Sequence, residues 1–149
     1  MLKLDTMNDL CYTLSYEVRR LLCMLSEEEL QHRLFTDLQK LRLPVDEFAI
    51  VIRPYSKTFY GRYFTEYNGK IAEVRVYPYK FKKPKVMFNY STVLYHTIHE
   101  VCHHLQYTNP NYTRKKGVMH DPQFYNLLNR YVNRAVDMGL LVIKEVITQ

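Results

Sequence analysis

The stretch His99-Glu100-Val101-Cys102-His103-His104 gathers three of the six histidines of this chain into six positions. By itself it suits either a polar helix surface or a pair of metal ligands, and the flanking residues decide between them. On an α-helix advancing about 100° per residue from His99, His103 lies near 40°, His96 near 60° and Thr92 near 20°. Leu94, Ile98, Val101 and Leu105 fall together between about 200° and 260°. The histidines and the aliphatic residues therefore occupy opposite faces of one helix, predicted over residues 90–107. The aliphatic face is expected to bury itself against a sheet and leave the histidine face on a cleft.

One helical turn separates His99 from His103, so the two imidazoles can share one Zn²⁺ at nitrogen distances of about 2.0–2.1 Å. Glu100 is turned about 100° from His99, where its carboxylate can reach a metal-activated water without ligating the metal. Two ligands and one general base on a rigid helix are the physical content of His-Glu-x-x-His. A catalytic zinc site also needs a third protein ligand and one open position. His120 is the best candidate, because it stands just before Asp121-Pro122, an N-cap followed by a proline at the first helical position. A helix starting there and packing antiparallel to the first would return His120 to the metal. His96 shares the ligand face and reads as a lining or supporting residue. His104, near 140°, reads as structural or surface, His32 as exposed, and Cys102, between the two faces, as no ligand.

Working outward, Met7, Leu10, Cys11, Leu14, Val18, Leu21, Leu22 and Leu25 recur at helical spacing, with Asp5 or Thr6 as cap. Ser26 and Glu29 form a capping box for a second helix whose face is Leu30, Leu34, Leu38 and Leu41, with Pro44 as its stop. The period then changes to two. Phe48, Ile50 and Ile52 mark a strand, residues 58–67 a second and residues 70–77 a third. Asn68-Gly69 is a strong hairpin signal, and a three-stranded antiparallel meander is expected. Residues 78–85 read as a linker in which Lys80, Lys82, Lys83 and Lys85 alternate with Tyr79 and Phe81. After the loop that carries Arg114-Lys115-Lys116, the last clear helix presents Phe124, Leu127, Leu128, Tyr131, Ala135 and Met138, and Gly139 suits its end. Residues 140–149 are ambiguous between a strand and a packed tail.

A chain of 149 residues with 47% hydrophobic and 24% charged residues suits one globular domain over 1–149 and excludes a disordered one. Its three cysteines, Cys11, Cys23 and Cys102, fit no paired zinc motif and no disulfide framework. No run is long enough for a membrane span, and Met1-Leu2-Lys3-Leu4-Asp5 does not begin a secretory signal, so a reduced, cytoplasmic protein is expected. Net charge is +6, which favours an anionic partner. Basic residues interleaved with aromatics at 79–85 suit a nucleic-acid strand, although a solvated loop has the same composition. The fourteen tyrosines, with no tryptophan, point to a half-wet sheet face or a binding groove.

His99-Glu100-Val101-Cys102-His103 followed by His120-Asp121-Pro122-Gln123-Phe124 resembles the SprT-like zinc metallopeptidases. That family carries His-Glu-x-x-His on one helix and a third histidine in a segment like His-Gly-Pro-x-Phe. Asp121 stands here in place of the glycine. The resemblance runs from about Leu30 to Gly139 and implies an α+β, zincin-like minimal metallopeptidase: N-terminal helices, a three-stranded antiparallel sheet, an active-site helix and a C-terminal helix. It implies His99, His103 and His120 as zinc ligands and Glu100 as the catalytic glutamate. The family's C-terminal Cys-rich ribbon has no counterpart, since no cysteine follows Cys102. Some members act on proteins bound or crosslinked to DNA, and the basic segments with Lys80, Lys82, Lys83, Lys85, Arg114, Lys115 and Lys116 are the ones that would neutralise phosphates in such a role. For the oxyanion, Tyr95, Tyr107, Tyr112 and Tyr125 stay open. Rival readings are a zinc hydrolase acting on nucleic acid, a binding module without turnover, and a peptidase dedicated to one regulatory repressor.

Overall fold

The structure, a computed structural model, describes residues 26–113 and 117–148, apart from the side chains of Pro84 and Lys85. The helix expected over 7–25, with Cys11 and Cys23, and the run Arg114-Lys115-Lys116 lie outside the described residues. The larger compact unit begins at Gln31.

Helix α1 (Glu27–Lys40) starts as its capping box requires: the Glu29 N–H donates to Ser26 Oγ at 3.1 Å. Leu34, Leu38 and Leu41 are fully buried, as their spacing demands. The helix stops before Pro44 is reached. Arg42 takes a left-handed φ of 61°, and the N–H groups of Leu43 and Arg42 return to the carbonyls of Leu38 and Gln39. Those two bonds satisfy two of the last free carbonyls of the helix.

Three strands follow: β1 (Phe48–Ile52), β2 (Gly61–Phe64) and β3 (Ala72–Val76). The expected antiparallel meander is not what forms. The order is β1-β3-β2, with β1 parallel to β3 and β2 antiparallel to it, so the sheet is mixed. Burial explains the order. Ala72, Val74 and Val76 are at most 4% exposed and make β3 the strand with the most to bury, so it takes the centre. The link from β1 to β2 begins with Arg53-Pro54 and is too long for a tight hairpin. It passes the end of β3, where Arg53 N–H donates to the Val76 carbonyl and Tyr77 N–H to the Tyr60 carbonyl. The β2–β3 link is the hairpin that Asn68-Gly69 announced: both residues have positive φ (48° and 76°), and Tyr67 and Lys70 exchange hydrogen bonds across it.

Residues 78–85 are not a linker. Tyr79–Lys80 (β4) and Lys83–Met87 (β5) pair antiparallel in a separate two-stranded ribbon, with a register shift at Tyr79/Lys80. Its alternation of lysine and aromatic residues hid the strand pattern, because neither face is apolar.

Helix α2 (Tyr90–Thr108) starts at Asn89, whose side chain accepts from Thr92 N–H, and ends at Asn109. It packs against β2 and β3 on one side and helix α3 (Pro122–Asp137) on another. Leu94, Ile98 and Val101 are completely buried, whereas Leu105 is only half-buried. Helix α3 is capped by Asp121, begins on Pro122, and is followed by Gly139 at φ 72°. It buries Phe124, Leu128, Val132 and Ala135, while Met138 is exposed. Residues 140–148 form no strand; they contain a 3₁₀ turn at Ile143–Glu145. The architecture is α+β. No helix among the described residues is long and apolar enough to cross a membrane.

Candidate metal centre

His99 and His103 leave α2 one turn apart, and His120 arrives from the residue before the α3 cap. The distances between their Nε2 atoms are 3.1 Å (His99–His120), 3.1 Å (His103–His120) and 3.3 Å (His99–His103). A ring nitrogen offers either one proton or one lone pair, so three mutual contacts cannot all be hydrogen bonds. A single cation shared by three lone pairs satisfies all of them. Tetrahedral bonds of about 2.0–2.1 Å require nitrogens about 3.3–3.4 Å apart, close to the spacing found. These three histidines could hold a metal ion.

The floor of the cluster is Phe124. Its ring lies 4.8 Å from that of His99, 4.5 Å from His103 and 4.9 Å from His120, and it is fully buried. The three imidazoles thus converge over an apolar plate, which raises the cost of any stray proton among them. Burial, then the neighbouring His103 and His120, push the His99 pKa down to about 3.

Asp121 fixes the third arm. Its carboxylate accepts from the Phe124 N–H at 2.8 Å, from the Tyr112 hydroxyl and from Gln106 Nε2 at 3.2 Å. One side chain thereby ties the start of α3 to the intervening loop and to α2, with His120 beside it. The Tyr112 bond, then the Phe124 N–H, holds this carboxyl below its ordinary value.

Glu100 is buried, 8% exposed, and lies against β2. Burial lifts its pKa to about 7, against a hydrogen bond from the Tyr63 backbone and the charge of Arg62. It opens on a cleft of about 690 Å³ whose lining includes His99, His103 and His120 with Phe59, Arg62, Tyr63, Tyr107, Tyr112 and Met119. Of the four tyrosines left open by the sequence, Tyr107 and Tyr112 line this cleft. Tyr63 lines it too and was not foreseen. Its hydroxyl is 2.8 Å from His104 Nδ1, and His104 Nε2 is 2.9 Å from Glu47. Burial raises the Tyr63 pKa to about 12. His104 is therefore a buried structural residue rather than a surface one.

His96 is not in the cluster. Its Nε2 is 2.9 Å from the Ile147 carbonyl, and its ring stacks on Tyr60 at 4.2 Å. Ile147 N–H also donates to Thr92 Oγ1. The chain after α3 covers the first half of the histidine face and leaves His99 and His103 open. Cys102 is a buried free thiol pushed up to about 12 by burial, far from a ligand's thiolate character. No protein family, curated protein or solved structure matches this chain.

Two outcomes are expected. His120→Ala should lower zinc affinity by at least about a hundredfold in competition with a chelator, and Phe124→Leu, which keeps the core filled, by about tenfold. Unchanged affinity in His120→Ala would remove it from the ligand set. The second outcome concerns pH in the metal-free protein. Folded His99 binds a proton only near pH 3 against an ordinary 6.5, so its contribution to stability is full above pH 6.5 and falls as pH drops. Folded Glu100 binds its proton near pH 7 against an ordinary 4.5, so its contribution has the opposite sign and grows between pH 7 and 4.5. Urea titrations should show stability falling more steeply from pH 6.5 to 4.5 in Glu100→Gln than in wild type. Parallel profiles would refute the assignment.

Proposed function

We propose that this chain is a zinc-dependent peptidase of the SprT-like kind, with His99, His103 and His120 as ligands and Glu100 as general base. The observation that carries the reading is the placement of a buried glutamate beside three converging histidine nitrogens, all on one open cleft. A donor set of three imidazoles suits Zn²⁺ better than the oxygen-seeking Mg²⁺ or Ca²⁺. When bound, such an ion supplies a Lewis acid that polarises a carbonyl and makes water nucleophilic at neutral pH.

Glu100 takes the proton of the attacking water and delivers it to the leaving amine. A carboxyl that titrates near pH 7 is matched to both halves of that task. Strand β2 is the sheet edge beside the cleft, so an extended peptide can add to it as a strand, held by backbone bonds. Phe59, Tyr107 and Met119, between 43% and 60% exposed, give its side chains an apolar wall. Tyr107 is the cleft tyrosine we propose for the oxyanion, since the Tyr112 hydroxyl already donates to Asp121.

A second feature bears on substrate delivery. Residues 48–65 and 74–99 contain eight lysines and arginines and no acidic residue. They meet where Tyr55 bridges to Tyr79, and there the rings of Tyr55 and Phe81, each 44% exposed, lie 5.8 Å apart beside exposed Arg53, Lys57, Lys82 and Lys83. Two open rings among exposed cations suit unpaired bases and phosphates. We propose that the peptidase acts on proteins bound to nucleic acid, with Lys80, Lys85 and the run Arg114-Lys115-Lys116 adding charge.

Glu100→Gln keeps size but cannot accept a proton. It should keep zinc and lose about 10²–10⁴-fold in turnover of an unfolded protein such as casein, and wild-type turnover should vanish with chelator and return with zinc. Undiminished turnover in Glu100→Gln would end this assignment. For nucleic acid, anisotropy across a salt series should show single strands bound more tightly than duplex, with affinity falling steeply as salt rises. Tyr55→Ala with Phe81→Ala should erase the preference for single strands. An absence of binding at low salt leaves the peptidase standing and removes the partner.

A further inference from the structure

Gly61 is a glycine for lack of space rather than for backbone freedom. The described glycines with positive φ are Gly69, Gly117 and Gly139, and Gly61 is not among them. An alanine could take its backbone conformation without strain. A Cβ there, however, would stand 2.8 Å from Cγ of Glu100 and 3.2 Å from the Arg75 carbonyl oxygen. The first distance is closer than real side chains approach one another, so α2 lies against bare backbone at this point of β2.

The strand register shows what that approach achieves. Tyr77 N–H donates to the Tyr60 carbonyl, and Gly61 faces Val76 and Tyr63 faces Val74. In an antiparallel ladder hydrogen-bonded pairs alternate with open ones, so the amides of Gly61 and Tyr63 point away from β3, toward the free edge. The Tyr63 amide on that edge favours the charged form of Glu100. The Tyr63 side chain is itself anchored to the buried His104. A missing side chain at one position and an outward amide two residues later together make a seat for one carboxylate.

We propose that Gly61 is a positioning residue for Glu100: its lack of a side chain lets the glutamate lie directly against the edge of β2, and the sheet edge thereby aims the general base at the histidine cluster. The proposal rests on the peptidase reading for its catalytic meaning but not for its geometry. The two are separated by a pair of double-mutant cycles on the zinc-loaded protein.

In the first, Gly61→Ala is measured for thermal stability in the wild-type and Glu100→Ala backgrounds. It should lower Tm by about 3–8 °C with Glu100 present and by less than half of that with it absent, since the atom it strikes is gone. In the second, Gly61→Ala should lower kcat at least about tenfold in wild type, with KM and zinc content held, and add nothing to Glu100→Gln. Full kcat in Gly61→Ala, or an equal loss on top of Glu100→Gln, overturns the positioning role. A wild-type protein without turnover overturns the peptidase reading instead. The stability cycle then still decides whether Gly61 seats Glu100, and additive losses there refute it.

Discussion

Three imidazole nitrogens face one another at 3.1–3.3 Å over the ring of a buried phenylalanine, and no placement of protons among them satisfies all three. Much of the surrounding fold holds that arrangement. Helix α2 supplies two of the nitrogens at a spacing set by one turn. Asp121 closes the loop that supplies the third, and Phe124 on α3 fills the space beneath. The aliphatic side of α2 packs on the central strand, so the helix cannot roll without exposing Leu94, Ile98 and Val101. A shared cation would turn this convergence from a repulsive contact into a bonded one.

Glu100 shows the same economy from the other side. A carboxyl this buried is costly to ionise, and its pKa of about 7 records that cost. The Tyr63 amide and the charge of Arg62 offset part of it. The result is a group that holds and releases a proton near neutral pH, placed where β2 presents its free edge. The apolar wall of Phe59, Tyr107 and Met119 and the basic, ring-bearing end of the sheet lie outside this centre.

Much of this was legible because it is local. Helical periodicity separates the histidine face from the aliphatic face, and Asp121-Pro122 marks the start of α3, so His99, Glu100, His103 and His120 could be named from spacing alone. What stayed hidden depends on partners distant in sequence. The order β1-β3-β2 follows from which strand has most to bury, and Arg53-Pro54 was the one local hint against a simple meander. The ribbon at 79–87 has no apolar face to betray it. Gly61 and Tyr63 matter only through α2, and His96 stays out of the cluster because the chain near Ile147, 51 residues later in sequence, takes its nitrogen. The Asp121 carboxylate was foreseen as a cap, but not as the tie to Gln106 and Tyr112.

The proposed chemistry depends on the three histidines binding one metal ion. X-ray absorption at the zinc edge of protein reconstituted with one equivalent of zinc tests that directly. Three imidazole nitrogens and one further light atom at about 2.0–2.1 Å are predicted. A sulfur neighbour near 2.3 Å, fewer than three imidazoles, or a chain that fails to retain zinc would contradict it.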